Sequence, residues 1–343
     1  MFTKLKYGAL AAVLVVGAFS TATVQADAIS DFYKGKTLTL VFGYGVGGTY
    51  GKYSLTLAEF LSKHIPGKPK IVAQSMPGAG GLKATNWAYN IMAKDGTGLF
   101  MPPDSLVISQ LLRPKKVRYD ATKFTWLGTV IQSNSVIALR TDAGISKVSD
   151  LKSKQVIMAS TGKGSQTFLI PQLVNGVYGA KFKIVMGYKG SRGSQHAMEL
   201  GEAQGVSLTW LAWKTGKPHW FEKGFAKPIV QNGFKKEPDL AHVPMLVDLV
   251  KNEDHKKIVN FMATLSPIGR GLAVPPGVPA ARIAALRAAF EETVADPAFI
   301  AAAKKRRLRV NAASGAEIQK IVTSSMDVPA NVIKLAQKMI MGK

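Results

Sequence analysis

Cysteine is absent from this 343-residue chain. A disulfide scaffold, a thiol nucleophile, a zinc ribbon and an iron–sulfur cluster are therefore excluded. Acidic residues are scarce: 21 Asp and Glu stand against 45 Lys and Arg, a formal charge of +24. That excess favours anionic partners, whether nucleic acid, an acidic membrane or small anions, and composition does not choose among them. The five histidines, His64, His196, His219, His242 and His255, fall at no HxxxH or HExxH spacing, so no metal is expected. Charged residues make up only 19% and hydrophobic ones 47%, which excludes a disordered chain and leaves enough to bury for two domains.

Long apolar runs are missing as well. The longest, Gly8 to Phe19, is too short for a bilayer that needs about 20 residues. Lys4 and Lys6 precede it, and Val24-Gln25-Ala26 follows with a small-x-small pattern. This order predicts a secretory signal peptide over residues 1–26, cut after Ala26, and a soluble protein thereafter. An exported chain without cysteine suits a bacterial periplasm. Export also makes nucleic acid a poor partner.

The remaining chain alternates short apolar runs with helical periodicity, the pattern of an α/β protein. Strands are expected at Thr37 to Phe42, Lys70 to Gln74, Gly98 to Met101, Val136 to Leu139, Val156 to Ser160 and Ile184 to Tyr188. Helices are expected over about Lys52 to His64, Leu82 to Met92, from Ser165 to about Tyr178, Pro279 to Val294 and Ala298 to Arg307. The basic run Lys304 to Arg307 ends a helix, where cations complement the dipole and face water.

Two enzyme patterns occur. Gly43, Gly45 and Gly48 spell GxGxxG after a strand, but no acid ends the second strand to hold a ribose. Ser160 and Lys163 match SxxK, and Lys214 to Gly216 match KTG. That serine–lysine chemistry needs both residues on one helical turn, whereas Gly162 and Gly164 predict a loop, and Pro218 follows where a strand is required. A periplasmic serine–lysine hydrolase is the alternative these motifs leave. What survives is physical: glycine-rich turns at Val46 to Thr49, Pro77 to Gly81 and Gly162 to Ser165 each end a strand and open a helix. Such turns aim free N–H groups and the positive helix end at an anion.

The order of these motifs resembles the substrate-binding proteins of tripartite tricarboxylate transporters, the TctC or Bug family. Its PGGxxD is matched by Val46 to Gly51, NxPGAGG by Ser75 to Gly81, DGxT by Asp95-Gly96-Thr97, SxGxGS by Ser160 to Ser165 and YKG by Tyr188 to Gly190. The late VP segment is matched by Val243-Pro244, and GLxAPxGxP by Gly271 to Pro279. The resemblance implies a two-lobed periplasmic binding protein fold, α/β, each lobe a mixed sheet flanked by helices, with a hinge between lobes. It implies one lobe from residues 27–132 and 240–343, the other from 133–239. Expected ligand contacts are Val46, Gly47, Gly48, Thr49 and Tyr50, then Pro77, Gly78, Ala79, Gly80 and Gly81, and from the second lobe Ser160, Thr161, Gly164, Ser165, Lys189 and Gly190. Ser165 is the clearest side-chain donor among them, and Gly80 the position whose missing Cβ would admit a ligand to the backbone. Tyr44, Tyr50, Trp210 and Trp213 are candidates either for an aromatic wall or for core.

The ligand so implied is a small organic anion, a mono- or dicarboxylate, with no cofactor, metal or catalytic residue. Its partners would be TctA/TctB-like integral membrane transporter subunits, with the chain a monomer; a ligand-presenting sensor is the other use of such a fold. Two family aspartates are replaced here, by Gly51 and Gln204. Losing two negative charges weakens the case for an amino acid, whose ammonium would need them.

Overall fold

The computed structural model describes residues 27–342; the expected signal peptide lies outside them. Two sheets organise the chain. The first runs β2-β1-β3-β10-β4-β11, from β1 (Thr37–Phe42), β2 (Lys70–Ser75), β3 (Gly98–Met101), β4 (Thr125–Thr129), β10 (Gly271–Val274) and β11 (Ala313–Ser314). The second runs β7-β6-β8-β5-β9, from β5 (Ser135–Arg140), β6 (Gln155–Ser160), β7 (Lys181–Met186), β8 (Gly205–Thr209) and β9 (Ala226–Asn232).

The two orders are the same arrangement. β1 pairs in parallel with β2 and β3, and β6 with β7 and β8. One antiparallel strand follows in each sheet: β10 beside β3, and β5 beside β8. That strand enters from the opposite lobe, because the chain crosses once between Thr129 and Ser135 and returns between Asn232 and Gly271.

Period-two side-chain alternation builds three layers per lobe. In the first, Leu38, Leu40, Phe42, Leu99 and Met101 pack to one face, while Val41, Phe100 and Trp126 pack to the other. In the second, Ile137 and Leu139 oppose Val136 and Ala138 in the same way. The helices that matter to the site each follow a strand: α1 (Thr49–His64) after β1, α2 (Leu82–Asn90) after β2, α3 (Leu106–Leu112) after β3. In the second lobe α4 (Gln166–Tyr178) follows β6, α5 (Ser191–Glu199) follows β7 and α6 (Trp210–Gly216) follows β8.

Helices that follow residue 240 enter a core shared with the second sheet. α7 (Glu253–Ala263) buries Ile258, Val259, Phe261 and Met262 in the core beneath β5 and β6. The last helix, α8 (Ala330–Met341), does likewise with Val332, Ala336 and Ile340. It lies so close to α4 that a Cβ on Gly176 would come within 2.8 Å of Met339 Cβ. Both helices bury their apolar stripes, α7 against α4 and β9, and α8 against α4, α7 and α3. Among the described residues no helix is long and apolar enough to cross a membrane.

Candidate functional site

The parallel strands of both sheets point their carboxyl ends at the gap between the lobes, and the glycine-rich turns meet there. Gly48 precedes α1, Ser165 caps α4 and Gly190 precedes α5. Each helix therefore directs its unsatisfied first-turn N–H groups and positive dipole end toward the interlobe space.

The lobes are closed on one another. Gly45 N–H donates to Lys189 C=O at 2.9 Å, and Ser105 Oγ donates to Gly164 C=O. Gln166 Nε2 of the second lobe donates to Asp104 Oδ2 of the first at 3.1 Å. Between them is a cavity of about 30 Å³ lined by Tyr44, Gly48, Thr49, Tyr50, Asp104, Thr161, Ser165, Gln166, Thr167, Gly190, Ser191, Leu208, Thr209, Ala212 and Arg270. Beside it, sharing Gly48, Thr49, Ser191 and Ala212, lies an outer pocket of about 680 Å³ edged by Lys52, Lys189, Arg192 and Lys217. The acid on that rim, Glu199, is already paired with Lys217 and His196. Burial and the neighbouring Arg307 and Arg192 guanidinium groups push the Lys52 ammonium below its usual pKa, as a crowd of like charges should. An approaching anion thus meets a positive rim before the inner cavity.

Arg270 dominates the inner wall. It is 2% exposed, its Nη2 donates to Thr49 Oγ1 and Thr209 Oγ1, and its guanidinium lies 4.0 Å from the centre of the Tyr50 ring. Asp104, equally buried, stands 3.7 Å away. Burial pushes the Asp104 carboxyl up to about 6 against the pull of Arg270. The Tyr44 and Tyr50 hydroxyls are also driven upward, mainly by burial, and stay protonated.

Six of the expected contacts, Gly48, Thr49, Tyr50, Thr161, Ser165 and Gly190, line the inner cavity. Gly47 and Lys189 line the outer pocket, and Val46 is exposed. Pro77, Gly78, Ala79, Gly80 and Gly81 do not line either pocket. A Cβ on Gly80 would meet Ser165 N at 2.6 Å and Gly164 C at 2.8 Å. Its bareness therefore admits the facing lobe's backbone. Ser160 sits beneath the wall, its hydroxyl bonded with Thr167 Oγ1 and the Gly162 N–H, and Gly164 turns its carbonyl to Ser105 and Ser109. Ser165 is the α4 N-cap: its Oγ accepts from Thr167 N–H at 3.2 Å. Its removal would therefore weaken the helix as well as the wall. Of the four aromatics, Tyr44 and Tyr50 line the cavity while Trp210 and Trp213 pack in the core.

Sequence reasoning missed Asp104 and Arg270. A signal existed for both: Asp104 follows Pro103 just past the fully buried β3, and Arg270 stands between two glycines at the start of the fully buried β10. A lone charge at the end of a buried strand belongs either to an ion pair or to a site at the sheet's edge.

The motifs that suggested enzymes have other structural uses. Lys163 is exposed and in a loop, and Ser160 carries no lysine among its hydrogen-bond partners. Thr215, the centre of the KTG match, ends α6 and donates to Arg307 C=O. Among the described residues no cluster of His, Asp and Glu could hold a metal ion.

No protein-family model matches the chain, and no curated protein matches it. Solved structures do. A TctC solute-binding protein from Polaromonas, without ligand, superposes with a TM-score of 0.61 at 18% identity, over 89% of this chain and 99% of that one. A protein of R. palustris with adipate gives 0.67 at 19% identity, over 88% and 97%. MatC from Rhodopseudomonas palustris, with bound malate, gives 0.67 at 17% identity, over 88% and 99%. The fold is that of the two-lobed periplasmic binding proteins.

Proposed function

We propose that this chain is an exported solute-binding protein of the tripartite tricarboxylate transporter class, taking a small organic carboxylate between its lobes. The observation that carries this reading is convergence: a buried arginine and the N-termini of α1, α4 and α5 line one interlobe cavity. Backbone N–H groups and a guanidinium in one cleft suit a carboxylate, whose two oxygens accept several hydrogen bonds at once. That similar folds are solved with adipate and malate supports the same class. No side chain in the cleft is placed as a nucleophile beside a base, so binding is favoured over chemistry. We further propose that residues 1–26 direct export to the periplasm, that the chain acts as a monomer, and that the lobes hinge apart to hand the ligand to an integral membrane permease.

Mass spectrometry of small molecules released from the purified protein, followed by a thermal-shift screen of carboxylates, tests the reading. A carboxylate present at about 100 times its Kd should stabilise the fold by about 2.7 kcal/mol. An amine, sugar or nucleotide released instead, with no response to any carboxylate, would overturn it.

A further inference from the structure

Five cations crowd the outer pocket, and they come from both lobes. Lys52 belongs to the first lobe, with Arg307 near it; Lys189, Arg192 and Lys217 belong to the second. The carboxylate among the lining residues, Glu199, is already shared by Lys217 and His196. Local structure adds to the excess. α1 and α5 both open on this pocket, through Gly48 and Thr49 and through Ser191 and Arg192. Neither helix has a capping side chain or an acid in its first turn, where folded helices ordinarily place negative charge. Each has a cation there instead, Lys52 in α1 and Arg192 in α5, beside the positive end of the dipole.

Contacts across the seam hold these charges together. A Cβ on Gly47 would come within 2.7 Å of Arg192 Cδ, so the second lobe's arginine lies along the first lobe's glycine turn. Arg307 adopts a left-handed backbone, φ 59°, and its C=O accepts from Thr215 Oγ1 of the second lobe at 3.0 Å. The wall shared with the inner cavity is tight, since a Cβ on Gly48 would lie 2.9 Å from Ser191 Oγ. Like charges gathered in this way oppose closure until a counter-charge enters, and the lowered pKa of Lys52 is one consequence.

We propose that the outer pocket is a second anion site, separate from the inner carboxylate cavity, which takes a divalent tetrahedral oxyanion: sulfate or phosphate, free or as a monoester. The proposal rests on the lobe closure of the reading above and not on which solute fills the inner cavity. Ammonium, guanidinium and uncapped N–H donors surround this space, and a tetrahedral dianion presents acceptors in every direction. A monocarboxylate would leave most of these cations without a counter-charge. Held between Lys52 on one lobe and Lys189 and Arg192 on the other, the dianion favours the closed form and so strengthens binding in the inner cavity.

Calorimetric titration of the chain, freed of co-purified solute, tests this with sodium sulfate, sodium phosphate, glycerol 3-phosphate and sodium acetate at one ionic strength set by sodium chloride. Sulfate or phosphate should saturate one site and bind about 10-fold or more tighter than acetate. Tighter binding of glycerol 3-phosphate than of phosphate identifies an ester as the occupant; the reverse identifies the free ion. Arg192→Gln, at an exposed position, should weaken the dianion about 10- to 100-fold, the range for a hydrogen bond to a charged group. A second measurement needs no variant. With the inner cavity loaded by whichever carboxylate the thermal-shift screen selects, saturating sulfate should tighten that carboxylate about fivefold or more, and the carboxylate should tighten sulfate by the same factor. Sulfate that displaces the carboxylate, or leaves its affinity unchanged, overturns the inference while the carboxylate reading stands. Absence of saturable dianion binding, or equal binding by folded Arg192→Gln, overturns it as well. Should no carboxylate bind at all, the carboxylate reading fails, and the sulfate and phosphate titrations decide this inference by themselves.

Discussion

Replacing Gly45 by alanine tests the closed geometry at one atom. The added Cβ would lie 2.2 Å from Lys189 O, in the backbone of the other lobe. The same contact holds the Gly45 N–H to Lys189 C=O hydrogen bond of 2.9 Å. Gly45 is not among the positive-φ glycines, so alanine is tolerated by the local backbone and the damage falls on closure alone. Losing the hydrogen bond costs about 0.5–1.5 kcal/mol. Forcing the lobes apart by the width of the clash costs a further ~1–3 kcal/mol, the usual range for overpacking. Because a ligand held between lobes binds the closed form, the whole penalty appears in its affinity, a loss of about 10- to 1000-fold. Calorimetry with the carboxylate identified by mass spectrometry measures it. Small-angle scattering should show a ligand-dependent decrease in radius of gyration for the wild type and a smaller one for the variant. Ligand-free melting should change little. Wild-type affinity in Gly45→Ala, with the same compaction, would refute the claim that this contact is part of the bound state.

Two further outcomes follow from buried acids. Because the folded state holds the Asp104 proton up to about 6, above the usual value of a free aspartate, its stabilising share is complete below about pH 4 and is lost as pH rises through 6. Denaturant titrations between pH 4 and 7.5 should therefore show the wild type losing on the order of 3 kcal/mol relative to Asp104→Asn, and parallel profiles would contradict the burial argument. At the crossing between lobes, the Glu237 carboxylate accepts from Asn134 N–H at 2.8 Å and Ser133 Oγ at 3.0 Å. Glu237→Ala leaves both donors buried and unpaired, and should lower unfolding stability by about 1–3 kcal/mol; an unchanged denaturation midpoint would show that water replaces the carboxylate there.

The sequence by itself determined the local elements and the turns that matter. β1 and β3 begin and end where the apolar runs Thr37 to Phe42 and Gly98 to Met101 predict, because a buried parallel strand is written as a short continuous apolar run. α4 runs to Tyr178 as expected because Ser165 and Gly179 mark its two ends. The glycine turns before α1, α2 and α4 were legible for the same reason: backbone conformation is a near-neighbour property. Tertiary structure alone decided what those loops face. Gly80 reads as a ligand contact in its own segment, and its close approach to Ser165 of the other lobe is something no local pattern encodes. α7 and α8 carry apolar stripes whose partners the local pattern does not name, and only packing against α4 seats them. Asp104 and Arg270 come from the ends of β3 and β10, strands that pair only because the chain leaves the first lobe, builds the second and returns. Their meeting is a long-range event, set by sheet order rather than by sequence spacing.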